Sequence, residues 1–409
     1  MTKSNVNRME ALQLLMEATD RTATSSTKVI EAQGLVAAEN VYSPLNLPES
    51  PRSAMDGYAV IAADTVGAAE TTRISLECIG EIRPSGGNIS SLNPGQACRI
   101  LTGGILPPPA DAVIPFEHVQ SENSKIIISA EVKKNFSTRL IGSDISINSK
   151  IIGKGEQFSP SHCSLISYAG IKEILSYDTP SVLVIAVGNE LCDPLGENIS
   201  GKIPADNLIL LKTMCAAQGF HKVTVKVCAN EKEAIMEMIS SGMGHDLIIT
   251  TGGTGPGQRD IVMQAACSAG CQPLFKGIRI HPAKSVFACV KDKTAVIGLP
   301  GPPNAVQLSF HFLIKPLLAY MKGLTAFNYE FKARLLKAIK RSAETERLWL
   351  CSLHTSDGSF RVMPLDDRSI SVRQTMCCAH GIIALSPGLS PAEENEEVTF
   401  IPFLMPNLV

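Results

Sequence analysis

The sequence is short of several things, and each shortage closes off a class of function. Lys and Arg number 37 against 39 Asp and Glu, so the basic excess of a nucleic-acid footprint is missing. Aromatic residues make up 5%, with one Trp, too few for platforms on which bases stack. No apolar run approaches the roughly 18 residues of a membrane-spanning helix, and residues 1–10 lack the apolar centre of a secretion signal. None of the 12 cysteines forms a Cys-x-x-Cys pair, which argues against a zinc ribbon or a thioredoxin site. A Walker A loop and a Gly-x-Gly-x-x-Gly dinucleotide fingerprint are absent too. The expectation is a cytoplasmic protein with reduced thiols, partnered by neither nucleic acid nor membrane.

What is present is length and apolar content. A chain of 409 residues suggests two to four domains at ~100–200 residues each, and a hydrophobic fraction of 44% is enough for several cores. Residues 7–19 have the spacing of an amphipathic helix, and 28–42 read as a second helical stretch. From 50 to 140 the texture becomes short β-like runs, at 58–62, 74–82, 97–101, 112–116 and 125–128, broken by Gly and Pro. Residues 160–169 return to helix. From 180 to 323 strands and helices alternate: strands at 181–187, 222–227, 246–251 and 294–297, helices at 207–218, 231–240, from 260, and 304–322. That rhythm predicts a doubly wound α/β domain with a largely parallel sheet. Residues 326–409 look like a small β domain.

Ligands of open α/β sheets bind beyond the carboxyl ends of the strands. Three glycine-bearing loops fall there: Gly188-Asn189-Glu190-Leu191, the loop 252–257 that leads to Asp260, and Gly298-Leu299-Pro300-Gly301-Pro302-Pro303. Glycines let main-chain amides approach an anion. With Glu190 and Asp260, the loops suit a phosphorylated ligand whose charge a divalent metal bridges. In the β region, Ser53-Ala54-Met55-Asp56-Gly57-Tyr58-Ala59-Val60 places an acid in a tight turn, and Thr102-Gly103-Gly104 precedes Ala110-Asp111-Ala112-Val113.

Those segments, with Gly142-Ser143-Asp144-Ile145, occur in an order that resembles the molybdopterin molybdenumtransferase family, of the MoeA and gephyrin E-domain type, over nearly the whole chain. The resemblance implies a multidomain α/β and β protein with four domains. They are a mixed, partly helical N-terminal domain (1–49 with 140–179), an inserted small β domain (50–139), a doubly wound MogA-like α/β domain (180–325) and a C-terminal β-barrel-like domain (326–409). It implies an elongated homodimer whose active site lies between the α/β domain of one subunit and the β domain of the other. It also implies Mg²⁺-dependent insertion of molybdate into adenylylated molybdopterin with release of AMP. Other biosynthetic proteins or a recipient molybdoenzyme would be partners.

Carried over by position, Asp56, Glu190 and Asp260 are the catalytic candidates, with Glu190 and Asp260 as metal ligands. Ligand contacts fall to Thr102, Arg139, Asp144, Gly252, Gly253, Thr254, Gly255, Lys284, Pro300 and Gly301. Carboxylates hold a metal and orient water, while amide-rich loops and cations neutralise phosphate.

The chain also departs from the pattern. Asn189 stands where an acid is usual, and Ala229-Asn230 where an Asp pair is. Ala305 replaces the serine associated with the oxyanion, and His281-Pro282-Ala283-Lys284-Ser285 keeps one lysine of that segment. The arginine usual near Cys351-Ser352 is missing. The Thr251-Gly252-Gly253-Thr254-Gly255 loop with Arg259-Asp260 resembles the MogA-type molybdopterin adenylyltransferases. The departures leave two alternatives open: a non-catalytic paralogue that binds, stores or delivers the pterin or the cofactor, and a molybdopterin adenylyltransferase.

Overall fold

The computed structural model describes residues 2–404 except 88, 198–199, 254–258, 326–329, 357 and 368, and leaves out the side chains of 259, 260 and 356 as well. The chain divides into two compact units, one of Met1–Glu39, Lys154–Ser159 and Glu173–Val409, the other of Asn40–Gly153 and Pro160–Lys172.

The larger unit is built on a seven-stranded sheet ordered Lys3–Val6, Gln272–Ile278, Phe287–Lys291, Thr294–Leu299, Leu247–Gly252, Val182–Val187 and Val223–Cys228. The last four run parallel, and Phe287–Lys291 is antiparallel to both its neighbours. Val182–Val187 is buried along its entire length, as a strand covered on both faces must be. Its alternate residues serve two cores. Val182, Val184 and Ala186 pack with Leu12, Leu208, Leu211 and the helix beginning at Pro303, while Leu183, Ile185 and Val187 pack with Ile235, Ile239 and Val262. Helices therefore cover both faces, as the α/β rhythm predicts. The helix expected over 304–322 is interrupted: Pro303–Ser309 passes through a π-helical turn, Phe310–Ile314, into Lys315–Met321.

The five strands Phe331–Leu335, Glu346–Ser356, Ser359–Pro364, Gly381–Leu385 and Glu397–Pro402 pair around a closed circuit. Leu335, Cys351, Val362, Ile383 and Phe400 fill the interior, so this is the expected C-terminal barrel. Closure removes the free edges that an open sheet exposes. A short strand, Ile280–His281, adds to the barrel beside Glu346 and Arg347. The helix Arg8–Ala18, capped by Asn7 whose side chain accepts from the Glu10 N–H at 2.8 Å, secures that junction. Arg8 donates in bidentate fashion to Glu346, 3.1 Å to each carboxylate oxygen, and also to Glu330.

The helical expectation for 28–42 is overturned. That stretch forms a 3-10 turn, Val29–Glu31, and two short strands, Val36–Ala37 and Val41–Tyr42. Gly34 at φ +82° breaks any continuing helix, and Val36–Ala37 pairs instead with Glu173–Tyr177.

The smaller unit carries the expected β insertion. Its main sheet runs in the order Ala112–Pro115, Gly57–Val60, Gln96–Ile100, Ile74–Arg83, Lys125–Ile128 and Val119–Glu122. Among the described residues no helix is long and apolar enough to cross a membrane. All 12 cysteines are free, as expected. Burial pushes the thiols of Cys98 and Cys215 up to about 12, and Cys267, Cys377 and Cys378 are exposed.

Arg8 is only 11% exposed, so truncating it strands two carboxylates. Arg8→Ala is expected to cost about 2 kcal/mol in urea unfolding, below the range for a fully buried pair because both acids reach solvent. Arg8→Lys, which lacks the fork, should recover only part of this.

Candidate functional site

In the larger unit the loops after the parallel strands come together as the fold requires. The turn following Leu247–Gly252 needs glycine at two places. Gly252 has φ +90°, and a Cβ there would lie 2.4 Å from the Val187 carbonyl oxygen; Gly253 has φ +65°. A ligand meets main chain there without a side chain between. Thr254, Gly255 and the side chain of Asp260 lie outside the described residues. Glu190 is exposed and folds over Gly188, its carboxylate oxygens 2.7 and 2.8 Å from where a Cβ would sit. Its main-chain oxygen accepts from the Ile203 N–H at 2.8 Å.

Asn207, near the start of the helix Asp206–Ala217, ties three of these elements together. Its Nδ2 donates to Thr251 Oγ1 at 3.0 Å and to the Gly301 carbonyl at 2.8 Å, and Thr251 donates to the Pro300 carbonyl at 3.3 Å. Both amide hydrogens are thereby used, and Asn207 Oδ1 is left buried with no partner among the described residues. Asn230 has the same state. Its N–H donates to Asn189 Oδ1 at 2.8 Å, while its own Oδ1 is buried without a partner among the described residues, 3.5 Å from the Cβ position of Gly253. Two naked acceptors beside a side-chain-free turn suit a ligand with N–H donors, since an unmade buried hydrogen bond is costly. The sequence analysis did not single out Asn207. Nothing local in Ala205-Asp206-Asn207 marks its role, which comes from contacts distant in sequence.

The residues carried over for the oxyanion separate. Lys284 is exposed beside Ala283, which has φ +76°. His281, not Lys284, lines a groove of about 450 Å³ with Asn304, Arg347, Leu348, Trp349 and Val372. Burial, and then the positive charge of Arg347, pull the His281 pKa below its ordinary value. Arg347 and Trp349 were missed from sequence because only the pairing of His281 with Arg347 brings them to this edge. Among the described residues no group of three or more His, Cys, Asp or Glu side chains is placed to hold a metal.

In the smaller unit, Asp56 Oδ1 accepts two hydrogen bonds from Thr102, from the N–H and from the hydroxyl, each 2.7 Å. These bonds hold the Asp56 carboxyl below the usual range. The Thr102 loop is fixed in turn, because Arg52 donates to the Gly103 carbonyl at 2.7 Å. Arg139 stands opposite Arg52 in the strand pair Thr138–Arg139 with Arg52–Ser53. Asp56, Thr102 and Arg139 thus share one neighbourhood. Asp144 is exposed and held elsewhere, its N–H donating to the Leu47 carbonyl at 2.9 Å.

Two family models match the chain, one described as the MoeA N-terminal region (domain I and II) over residues 6–170, the other as a probable molybdopterin binding domain over residues 183–320. A putative molybdopterin biosynthesis protein of Methanocaldococcus jannaschii is 31% identical over 307 residues, covering 73% of this chain and 74% of the relative. A molybdopterin molybdenumtransferase of Staphylococcus epidermidis is 26% identical over 93% of this chain and 91% of its own. A crystal structure of the molybdopterin biosynthesis MoeA protein from Pyrococcus horikoshii superposes with a TM-score of 0.86 at 26% identity, covering 98% of this chain and all of that one.

Thr102→Val removes one of the two bonds to Asp56, so its carboxyl should titrate closer to the ordinary aspartate value of ~3.9. A depressed carboxylate contributes stability above its unfolded pKa and loses it as pH falls through the folded value. The variant should lose that contribution at a higher pH than the wild type. Carboxyl-carbon NMR titration checks this, and an unmoved Asp56 resonance contradicts it.

Proposed function

We propose, for a chain that belongs to the MoeA family of molybdopterin molybdenumtransferases, that it performs the metal-insertion step of molybdenum cofactor biosynthesis. In this reading it takes adenylylated molybdopterin and molybdate and releases AMP. The observation that carries it is the Asn207 clasp with the two unpartnered acceptors beside Gly252 and Gly253. A pterin or adenine ring edge brings N–H donors to those oxygens, and phosphate lies against main chain that no Cβ shields. Glu190, exposed at the mouth of the same loops, orients and deprotonates the water that attacks the phosphoanhydride.

Mg²⁺ fits the residues present, because this ion is commonly held by one or two carboxylates together with substrate phosphates. Glu190 and Asp260 would hold it, and it would supply neutralisation of the anhydride charge. In the smaller unit Asp56, whose carboxyl Thr102 holds below the usual range, is the candidate catalytic acid, and Arg139 the candidate ligand contact. The acting form is a homodimer, and the product passes to a recipient molybdoenzyme.

A second reading, binding without turnover, has its own support. The loops carry carboxamides at Asn189 and Asn230, joined by a 2.8 Å hydrogen bond, and the buried methyl of Ala305 at the position of the usual serine. Incubation of the full chain with adenylylated molybdopterin, molybdate and Mg²⁺ separates the two. Stoichiometric AMP from the wild type, slowed about 10²-fold or more in Glu190→Ala, supports insertion. Tight binding with no AMP supports the binding protein.

A further inference from the structure

The helix Arg259–Ser268 of the larger unit ends on a turn that gathers sulfur. Gly270, at φ +92°, donates its N–H to the Cys267 carbonyl at 2.9 Å, and the Cys271 N–H donates to the Ala266 carbonyl at 3.0 Å. The chain doubles back under the helix end, and Cys271 leads straight into the strand Gln272–Ile278. That strand pairs with Phe287–Lys291 so that Gln272 stands opposite Val290 and Pro273 opposite Cys289. Side chains alternate between the faces of a strand, so Cys271 and Cys289 share one face, where both are buried in the core with Val262, Ala265 and Val296. The thiols of Cys267 and Cys289 are close enough to share a hydrogen bond.

The three thiols are unequal. Cys267 is exposed, whereas Cys271 and Cys289 are buried. Burial pushes the Cys271 thiol up to about 11, against the pull of the Lys291 ammonium, and pushes Cys289 up as well. Lys291 is held at this turn by donating to the Ala269 carbonyl at 2.8 Å, and a neighbouring cation favours thiolate. An electrophilic oxidant needs a thiolate that solvent reaches. Cys267 alone of the three is open to one, and a second sulfur stands directly behind it. Among the described residues no three such groups are placed to hold a metal, so the arrangement suits a bond between two sulfurs.

We propose that Cys267 is a modification site for hydroperoxides and that Cys289 resolves it, giving a reversible disulfide between helix and strand. In the first step the Cys267 thiolate attacks the terminal oxygen of the hydroperoxide. An S–O bond forms, the O–O bond breaks, and the leaving alkoxide or hydroxide takes a proton from solvent. The sulfur is oxidised by two electrons to a sulfenic acid, and the peroxide is reduced to an alcohol or water. In the second step the Cys289 sulfur attacks the sulfenic sulfur. The S–S bond forms, the S–O bond breaks, and the thiol proton leaves with the hydroxyl as water. The helix so tied to the sheet starts at Arg259-Asp260, beside the strand-end loops, which gives the oxidation a route to the site. The inference goes beyond the insertion reading and is read without turnover, so either can fail alone.

The test treats the full chain, reduced and then freed of reductant, with hydrogen peroxide at slight excess over protein, blocks the remaining thiols with iodoacetamide and digests without reduction. Mass spectrometry is expected to find the Cys267 and Cys289 peptides joined, and dithiothreitol should part them. Cys267→Ser should abolish the link, Cys271→Ser should keep it, and Cys289→Ser should leave a Cys267 sulfenic acid that dimedone traps. Circular dichroism verifies the fold of each variant. Dimedone present during oxidation of the wild type gives the same reading without a substitution, since it should exchange the link for a Cys267 adduct. Cys267 left unoxidised while the exposed Cys377 and Cys378 react, Cys267 joined to Cys271 instead, or Cys267 carried to sulfinic acid with no link, overturns the proposal.

Discussion

Six consecutive buried residues, Val182–Val187, are stable only if hydrogen bonds run to strands on both sides and apolar helices cover both faces. The chain meets the first demand with Val223–Cys228 and Leu247–Gly252, in unbroken parallel register. It meets the second by sending alternate side chains to two separate cores. One consequence is functional. With both faces filled, these strands deliver their chain to the edge where they end, and there the Thr251-Gly252 strand end and the Pro300-Gly301 turn meet around Asn207. Among the described residues there, Asn207, Thr251, Asn189 and Asn230 are tied by hydrogen bonds across this edge.

Much of this was legible in sequence because it is periodic or punctuated. The alternation of apolar strands and helices from 180 to 323 gives the doubly wound domain, and the short runs between glycines and prolines give the β insertion almost strand for strand. The stretch 28–42 was misread because Val29, Val36 and Val41 supply apolar positions without saying what they pack on. A left-handed Gly34 and pairing to Glu173–Tyr177, far along the chain, decide the outcome. The same kind of distance hides the site. Asp56 and Thr102 stand in recognisable motifs, yet that one residue fixes the ionisation of the other is visible only in the fold. Arg347 and Asn207 sit in no motif at all. The register of a barrel strand and a clasp from a helix start to two strand-end turns give them their place.

The near-zero net charge takes on a local meaning. Where the family resemblance leads one to expect acids around the strand ends, this chain has the amides of Asn189 and Asn230, whose carbonyl oxygens can accept hydrogen bonds without carrying charge. An amide in place of a carboxylate preserves recognition of N–H donors and weakens attraction for a cation. The strand-end loops therefore offer neutral acceptors suited to a heterocycle's N–H groups, with Glu190 the exposed carboxylate described beside them.

The central claim is that the strand-end loops around Asn207 hold the pterin nucleotide. A crystal structure of the chain with adenylylated molybdopterin tests it most directly. The account predicts ligand N–H groups within hydrogen-bond distance of Asn207 Oδ1 and Asn230 Oδ1, with phosphate against Gly252 and Gly253. Ligand bound elsewhere, with both oxygens left unpartnered, would contradict it.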